Sequence, residues 1–278
     1  MTIAARRLEP AELVVAKMRD VAANKAAEFE FVQLDASLTK NVIEFAERMQ
    51  KKYGETGLYA LILSHGGVPN ASPRVETSEG HELYILENIT SLIFSFLAAC
   101  VISKYILSAK LIDVLRRGGG CIVSIKGAGV SNSLNVDNLE LKNNKTITIF
   151  CKHHMRTQLT VATTLREAAC NDIFAQEITK TGVPYYHLHP LVVRTSGIDR
   201  DQLNFPWYHL TKLLMWIMGT DPQMYAAVPT SIVLKRPEYY TVGYTGKEAP
   251  IKPGLKQEEL KEKLMNWMKN ATGIGLDG

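Results

Sequence analysis

Residues 120–165 decide the fold: GCIVSIKGAG at 120–129, VDNLEL at 136–141 and TIFCKHHMRTQLTVATTL at 148–165. The first piece is a short apolar run bounded by glycines, the pattern of a strand buried on both faces. The second is a polar loop. The third is long and free of Gly and Pro, as a helix requires. Strand, loop and helix in this order make half of a βαβ unit, and ligands of such units gather beyond the C-terminal ends of the strands. Lys126 stands at that end. Thr148 and Lys152 lie four apart and share one face of the helix. No tyrosine occurs between Tyr105 and Tyr185.

The alternation continues outward. Apolar runs at 12–18 (ELVVAKM), 31–34, 58–63 and 184–188 read as further strands, and 239–244 as a short last one. Helices are expected over 19–29, 38–53, 80–116, 148–169, 205–218, 221–233 and 257–269. In 38–53, Val42, Phe45 and Met49 recur at helical spacing. Residues 3–8 read as the end of a helix. This order predicts an α/β protein, a Rossmann-like doubly wound parallel sheet, in one domain over 1–278.

Composition agrees with a globular chain. Of its 278 residues 46% are hydrophobic, which is ample for a core, and the net charge of +4 is spread without a basic block, so there is no nucleic-acid footprint. Cys100, Cys121, Cys151 and Cys170 lie in apolar or helical stretches with no Cys-x-x-Cys pair. They read as thiols of a reducing, cytoplasmic compartment, not as a disulfide or zinc framework. The N-terminus lacks the apolar core of a secretory signal. The run at 89–109 approaches the length of a membrane span, but Lys104 and several Ser and Thr interrupt it. It reads as a buried, dimer-forming helix of a soluble protein.

Together these pieces resemble the short-chain dehydrogenase/reductase family, in its retinol-dehydrogenase-like branch. Leu34-Asp35 is similar to the strand end whose Asp meets the adenine ring. Ser64-His65-Gly66-Gly67 stands where Asn-Asn-Ala-Gly is usual. Thr77-Ser78-Glu79-Gly80-His81 resembles a helix start of type T-x-E-G-[FH], with Asn88 at the place of the tetrad Asn. His189-Pro190 to Arg194-Thr195 is similar to HPGVVRT, with Leu191 for Gly. The resemblance implies NAD or NADP as cofactor, with Arg19, Asp35, Ser64, Gly66, Lys152 and Thr195 at cofactor positions. It implies a homodimer, or a heteromer with a relative, formed through helices 81–116 and 148–169. It also implies a substrate lid over about 200–235. There Phe205, Trp207, Tyr208, Leu213, Leu214, Trp216 and Met218 suit a hydrophobic small molecule.

Two departures weigh against the family's usual reaction. The first strand and the T-G-x-x-x-G-I-G turn that cradles the pyrophosphate have no counterpart. MTIAARRL aligns with the helix after that turn. An upstream start, a rearranged fold and completion by a partner all remain open. The second departure is chemical. Thr148 stands where the family has its catalytic Tyr, and an alkanol has a far higher pKa and a shorter reach than a phenol. Lys126-Gly127 replaces the Ser pair.

What remains for chemistry is Lys152, Asn88, His65, Lys126 and Thr148. Two converging lysines would repel each other, and one would fall toward neutrality as a base or Schiff-base nucleophile. His65, at a strand end, suits acid–base work near pH 7, or else a backbone contact. His153 and His154 diverge on a helix, and His187 and His189 share a strand face without a third ligand, so no metal site is expected. The expectation is an enzyme of secondary-metabolite type biosynthesis, working without redox chemistry on a hydrophobic substrate by cyclisation, isomerisation or dehydration. The alternatives are an NAD(P)H-dependent oxidoreductase of a carbonyl or imine, and a silent partner subunit.

Overall fold

A computed structural model describes residues 1–65, 75–76, 82–83, 98–139, 152–194 and 207–276; at 75–76, 82–83, 98–99, 152–163, 207 and 211 it describes the backbone alone. The elements run β1 (Thr2–Ala5), α1 (Leu8–Val21), β2 (Glu30–Gln33), α2 (Thr39–Tyr53), β3 (Ala60–Leu63), β4 (Val75–Glu76) and β5 (Glu82–Leu83). They continue with α3 (Ser103–Arg117), β6 (Cys121–Ile125), α4 (Lys152–Thr179), β7 (Tyr185–Leu188), α5 (Trp207–Met218), α6 (Pro222–Lys235), β8 (Thr241–Val242) and α7 (Glu258–Thr272). A π-helical turn, Ala98–Ile102, leads into α3.

The main sheet has the order β3-β6-β7-β8, all parallel. β6 lies inside it and is buried from Cys121 to Ser124. Alternation along β6 feeds two cores, because successive side chains of a strand point to opposite faces. Ile122 joins the larger core, with residues of α2, α3, α4 and α7. Cys121 and Val123 join Tyr186, Leu188, Ile232 and Val233 on the opposite face, under α6. Helices therefore cover both faces of this sheet, as a parallel sheet requires. The turn before β6 reads as the glycines suggest: Gly119 has φ +57°, and a Cβ on Gly120 would collide with the Leu58 carbonyl oxygen.

β1 and β2 form a second, two-stranded parallel sheet. It shares the larger core through Leu34 and through Val42, Ala46 and Met49 of α2, which packs on α3. Among the described residues no strand links β1 to β3, so β1-β2 and β3-β6-β7-β8 are two separate sheets. The neighbouring surface is open. Ile62 of β3 is 54% exposed, and Leu13 and Val14 of α1 are exposed as well.

The N-terminal segment differs from the sequence reading. Residues 2–5 are a strand, not a helix end, and the expected strand at 12–18 lies within α1. Within ELVVAKM only Val15 is buried, one turn after the buried Ala11 that precedes the run, so its apolar content is helical amphipathicity and not a buried run. The expected helix at 19–29 is confined to its first residues, which end α1. The helix at 205–218 is described from Trp207. The expected helix at 80–116 is not one throughout: Glu82–Leu83 form strand β5, paired antiparallel with β4, and helix is described from 98 onward, where Ser103 to Ser108 are all buried and Lys104 is fully so. No described helix is long and apolar enough to cross a membrane.

A two-stranded sheet with an open edge opens more readily than a covered parallel one. Native-state hydrogen exchange should find the amides of β6 and β7 slowest and those of β1 and β2 faster by on the order of 100-fold. Equal protection would show that the two sheets unfold as one unit.

Candidate functional site

The parallel register aligns the C-terminal ends of the main strands. Leu63 lies opposite Ser124, and Ser124 opposite His187. His65, Lys126 and His189 therefore leave the sheet at one edge, where ligands of such sheets bind. Two helices pack polar groups beneath that edge. From α4 come Arg166, Glu167, Asn171 and Asp172, and from α3 come Ser103 and Lys104, all buried.

Lys126 keeps part of its side chain in solvent. Its Nζ lies 2.6 Å from Glu167 Oε2, with side-chain exposures of 17% and 0%. It also donates to Cys100 Sγ at 3.8 Å. Burial works against its charge, but the Cys100 sulfur and the Glu167 carboxylate outweigh burial and hold the ammonium well above the ordinary lysine range. Of the two converging lysines expected from the sequence, Lys126 and Lys152, one was to fall toward neutrality; Lys126 does not, because a carboxylate at contact distance holds its charge.

The lowered lysine is Lys104, which the sequence reading took only as an interruption in an apolar run. Burial pushes it down to about 8, with Cys100 opposing the shift and Lys126 reinforcing it. Its Nζ donates to Ser124 Oγ at 3.0 Å and to the Ile125 carbonyl at 3.2 Å. Ser124 donates in turn to Asn171 Oδ1 at 2.8 Å, as does the Tyr185 hydroxyl at 2.9 Å. Asn171 donates to the Glu167 carbonyl, one turn back on α4. This chain of bonds ties α3, β6, α4 and β7 together in a dry interior, where each bond is strong and each loss costly.

His187 is the second anchor. Its Nδ1 lies 2.7 Å from Asp172 Oδ1, and its Nε2 accepts from the Gly127 N–H at 3.1 Å. An accepting Nε2 requires the neutral Nδ1–H tautomer, and burial lowers the pKa accordingly. Asp172 also accepts from the Gly129 N–H. The pair thus fixes the loop after β6 and with it Lys126. Both ring nitrogens of His187 are engaged, so the paired His187–His189 arrangement does not present two ligands to a metal. Among the described residues no cluster of three or more His, Cys, Asp or Glu could hold one.

His65 does not fit acid–base work near pH 7. Its Nε2 shares a hydrogen bond with Ser103 Oγ at 2.8 Å. Burial, then the charges of Lys104 and Lys126, lowers its pKa to about 3, so it is neutral at pH 7. Lys152 opens α4, on the helix that follows β6, but its side chain lies outside the described residues. Asn88, Thr148, Gly66 and Thr195 lie outside them altogether.

The remaining cofactor positions divide. Asp35 follows β2 at its C-terminal end, but its Oδ1 accepts from the Ser37 N–H and hydroxyl, so it closes its own turn. Ser64 is exposed at the end of β3. Arg19 is misplaced: it ends α1 and donates to the Phe29 carbonyl, at the N-terminal end of β2 and away from the ligand edge. It was read as a strand end because 12–18 was read as a strand. Among the described residues no glycine turn carries a parallel strand into a helix N-terminus. α1 opens instead on Arg6 and Arg7, with no side-chain cap. The described residues therefore do not make the pyrophosphate cradle that NAD or NADP would need.

Two signals were missed in the sequence. Glu167 and Asn171, four apart on a helix, share a face that could have been read as polar and inward. The Asp172–His187 pair spans 15 residues and two elements, and only the fold brings it together.

Comparison with known proteins gives fold without close kinship. No family model matches the chain, and no curated protein matches it significantly. Among solved structures, a short-chain dehydrogenase from Streptomyces avermitilis is 15% identical, with a TM-score of 0.54 over 98% of this chain and 84% of its own. Levodione reductase is 12% identical, with a TM-score of 0.57 over 88% and 86%. An NADPH-bound carbonyl reductase from chicken fatty liver is 12% identical, with a TM-score of 0.50 over 88% and 85%.

Two measurements check this site. Glu167→Gln leaves a lysine cation without its carboxylate and should cost about 3 kcal/mol in urea unfolding, the lower end of the range for broken buried pairs because Lys126 keeps some solvent. Lys126→Met combined with Glu167→Gln should recover most of that loss, whereas additive losses would contradict the pair. Separately, the fold holds His65 and His187 neutral while the unfolded chain lets both protonate. Their contribution is complete above about pH 6.5, the ordinary histidine value, and is lost as pH falls below it, for His65 down to about 3. Melting temperature should drop across that window, and less steeply in His65→Gln. The chain has the Rossmann-like α/β fold of the short-chain dehydrogenases and reductases.

Proposed function

We propose that this chain is an enzyme of the short-chain dehydrogenase fold that works on a hydrophobic small molecule by acid–base chemistry at the C-terminal end of β6, without hydride transfer. One observation carries the reading: a lysine ammonium, held charged and aimed by a buried glutamate, stands at the strand end where the family has its Ser pair. In this reading Lys126 donates an N–H to a substrate carbonyl oxygen and stabilises the negative charge that develops there on enolisation. Its raised pKa makes it a fixed donor and not a Schiff-base nucleophile. Glu167 positions it. Thr148 and Lys152, at the opening of α4, and Asn88 are the candidates for moving the proton, by their place in the sequence. Residues 200–235 supply the apolar lid. Isomerisations, aldol-type cyclisations and β-eliminations of water beside a carbonyl pass through such an enolate, and this is the chemistry of small-molecule biosynthesis.

The second reading is NAD(P)H-dependent reduction of a carbonyl or imine, favoured by the likeness to the NADPH-bound carbonyl reductase. It needs a phosphate cradle from outside the described residues, supplied by this chain or by a partner in a homodimer or heteromer. A silent subunit of such a heteromer would need no cradle of its own.

The test is exchange in D2O. A panel of hydrophobic ketones incubated with the enzyme and no nicotinamide should take up deuterium beside the carbonyl, followed by NMR. Lys126→Met should slow this by about 10²–10⁴-fold. Turnover that appears only when NADPH is added would overturn the proposal in favour of the second reading.

A further inference from the structure

Cys100 has no role in the chemistry proposed above, yet its position is specific. The π-helical turn before α3 carries it, fully buried, against the Lys126 amine, 3.8 Å from Nζ. It is in no disulfide. Glu167 Oε2 lies 2.6 Å from the same Nζ, on hand to take a proton from it. Glu167 Oε1 has no hydrogen-bond partner and reaches Arg166 only at 3.8 Å. A thiol, an amine and a carboxylate thus share one small dry space, and Lys126 gives it its link to solvent. Sulfur near an amine is open to oxidative capture, because a thiol is oxidised stepwise and its oxidised forms condense with nearby nitrogen.

We propose that Cys100 and Lys126 form a reversible oxidative cross-link through a single oxygen atom, Sγ–O–Nζ, with dioxygen as the oxidant. The step balances as thiol plus amine plus O2 giving S–O–NH plus one water. The S–H bond and one N–H bond break, and one S–O and one N–O bond form. Sulfur and nitrogen each give up two electrons. One oxygen atom of O2 enters the bridge and the other leaves as water. The ammonium is the resting form of Lys126, so the step runs through the minor fraction in which Glu167 has taken its proton and passed it to solvent; the S–H and one N–H hydrogen are the two that end in the water. Thiol reductants reverse the step. The cross-link ties the turn before α3 to the end of β6 and consumes the amine. It is a property of these three side chains and does not depend on what reaction the site performs.

The test is peptide mapping of the whole protein, reduced and then exposed to oxygen-saturated buffer. The expected product is heavier by about 14 Da, one oxygen in and two hydrogens out, and reverts on treatment with dithiothreitol. Trypsin should fail to cut after Lys126, and the peptides bearing Cys100 and Lys126 should travel together. The product should vanish in Cys100→Ser and in Lys126→Arg and persist in Cys121→Ser. The wild-type map alone decides the matter if a variant does not fold. A gain of about 16 or 32 Da on Cys100 with normal cleavage after Lys126 would mean simple thiol oxidation and would overturn the cross-link. So would an unchanged mass.

Discussion

The contact between Lys126 and Glu167 sets the terms for everything near it. Burying a carboxylate completely is costly unless an opposite charge meets it closely, and here a lysine does so, at 2.6 Å, from the end of the neighbouring strand. That requirement fixes the pitch of α4 against β6. The next turn of α4 then places Asn171 to join Ser124 and Tyr185, and Asp172 to hold His187. One ion pair and one histidine–aspartate hydrogen bond together position the loop that begins at Lys126.

The same arrangement separates the two lysines chemically. Lys126 meets an anion and stays charged. Lys104, one layer deeper, meets a hydroxyl and a carbonyl, and loses much of its hold on the proton. A pair of like groups in unlike surroundings is how one fold assigns different roles at neutral pH. Here the outer group is reachable and carries the charge, whereas the inner one completes the packing of α3 on β6. His65 is driven neutral by burial and, after it, by these two charges, which leaves it a hydrogen-bonding role beside Ser103.

Much of the fold was legible because its signals are local. β6 and β7 are continuous apolar runs between turn residues, and α2 shows its spacing openly. The N-terminus misled because a short apolar run, ELVVAKM, satisfies a strand and one face of a helix equally. What decides is the packing of Ala11 and Val15, which no window of sequence displays. The site was half legible. Lys126 was found by its place at a strand end, but its protonation depends on Glu167, which lies 41 positions on along the chain. Lys104 looked like a flaw in an apolar helix because nothing local says that Ser124 and the Ile125 carbonyl await it. His187 and His189 looked like a pair on one strand face, and the true partner of His187 came from a helix.

The central claim is that the cleft has exchanged hydride transfer for a fixed lysine charge. Calorimetric titration of NADPH and NADH into the folded, monodisperse chain tests it most directly. The account predicts no measurable heat of binding, because Asp35 closes its own turn and no described glycine turn offers a phosphate cradle. Saturable binding at micromolar strength would contradict it and return the chain to nicotinamide chemistry.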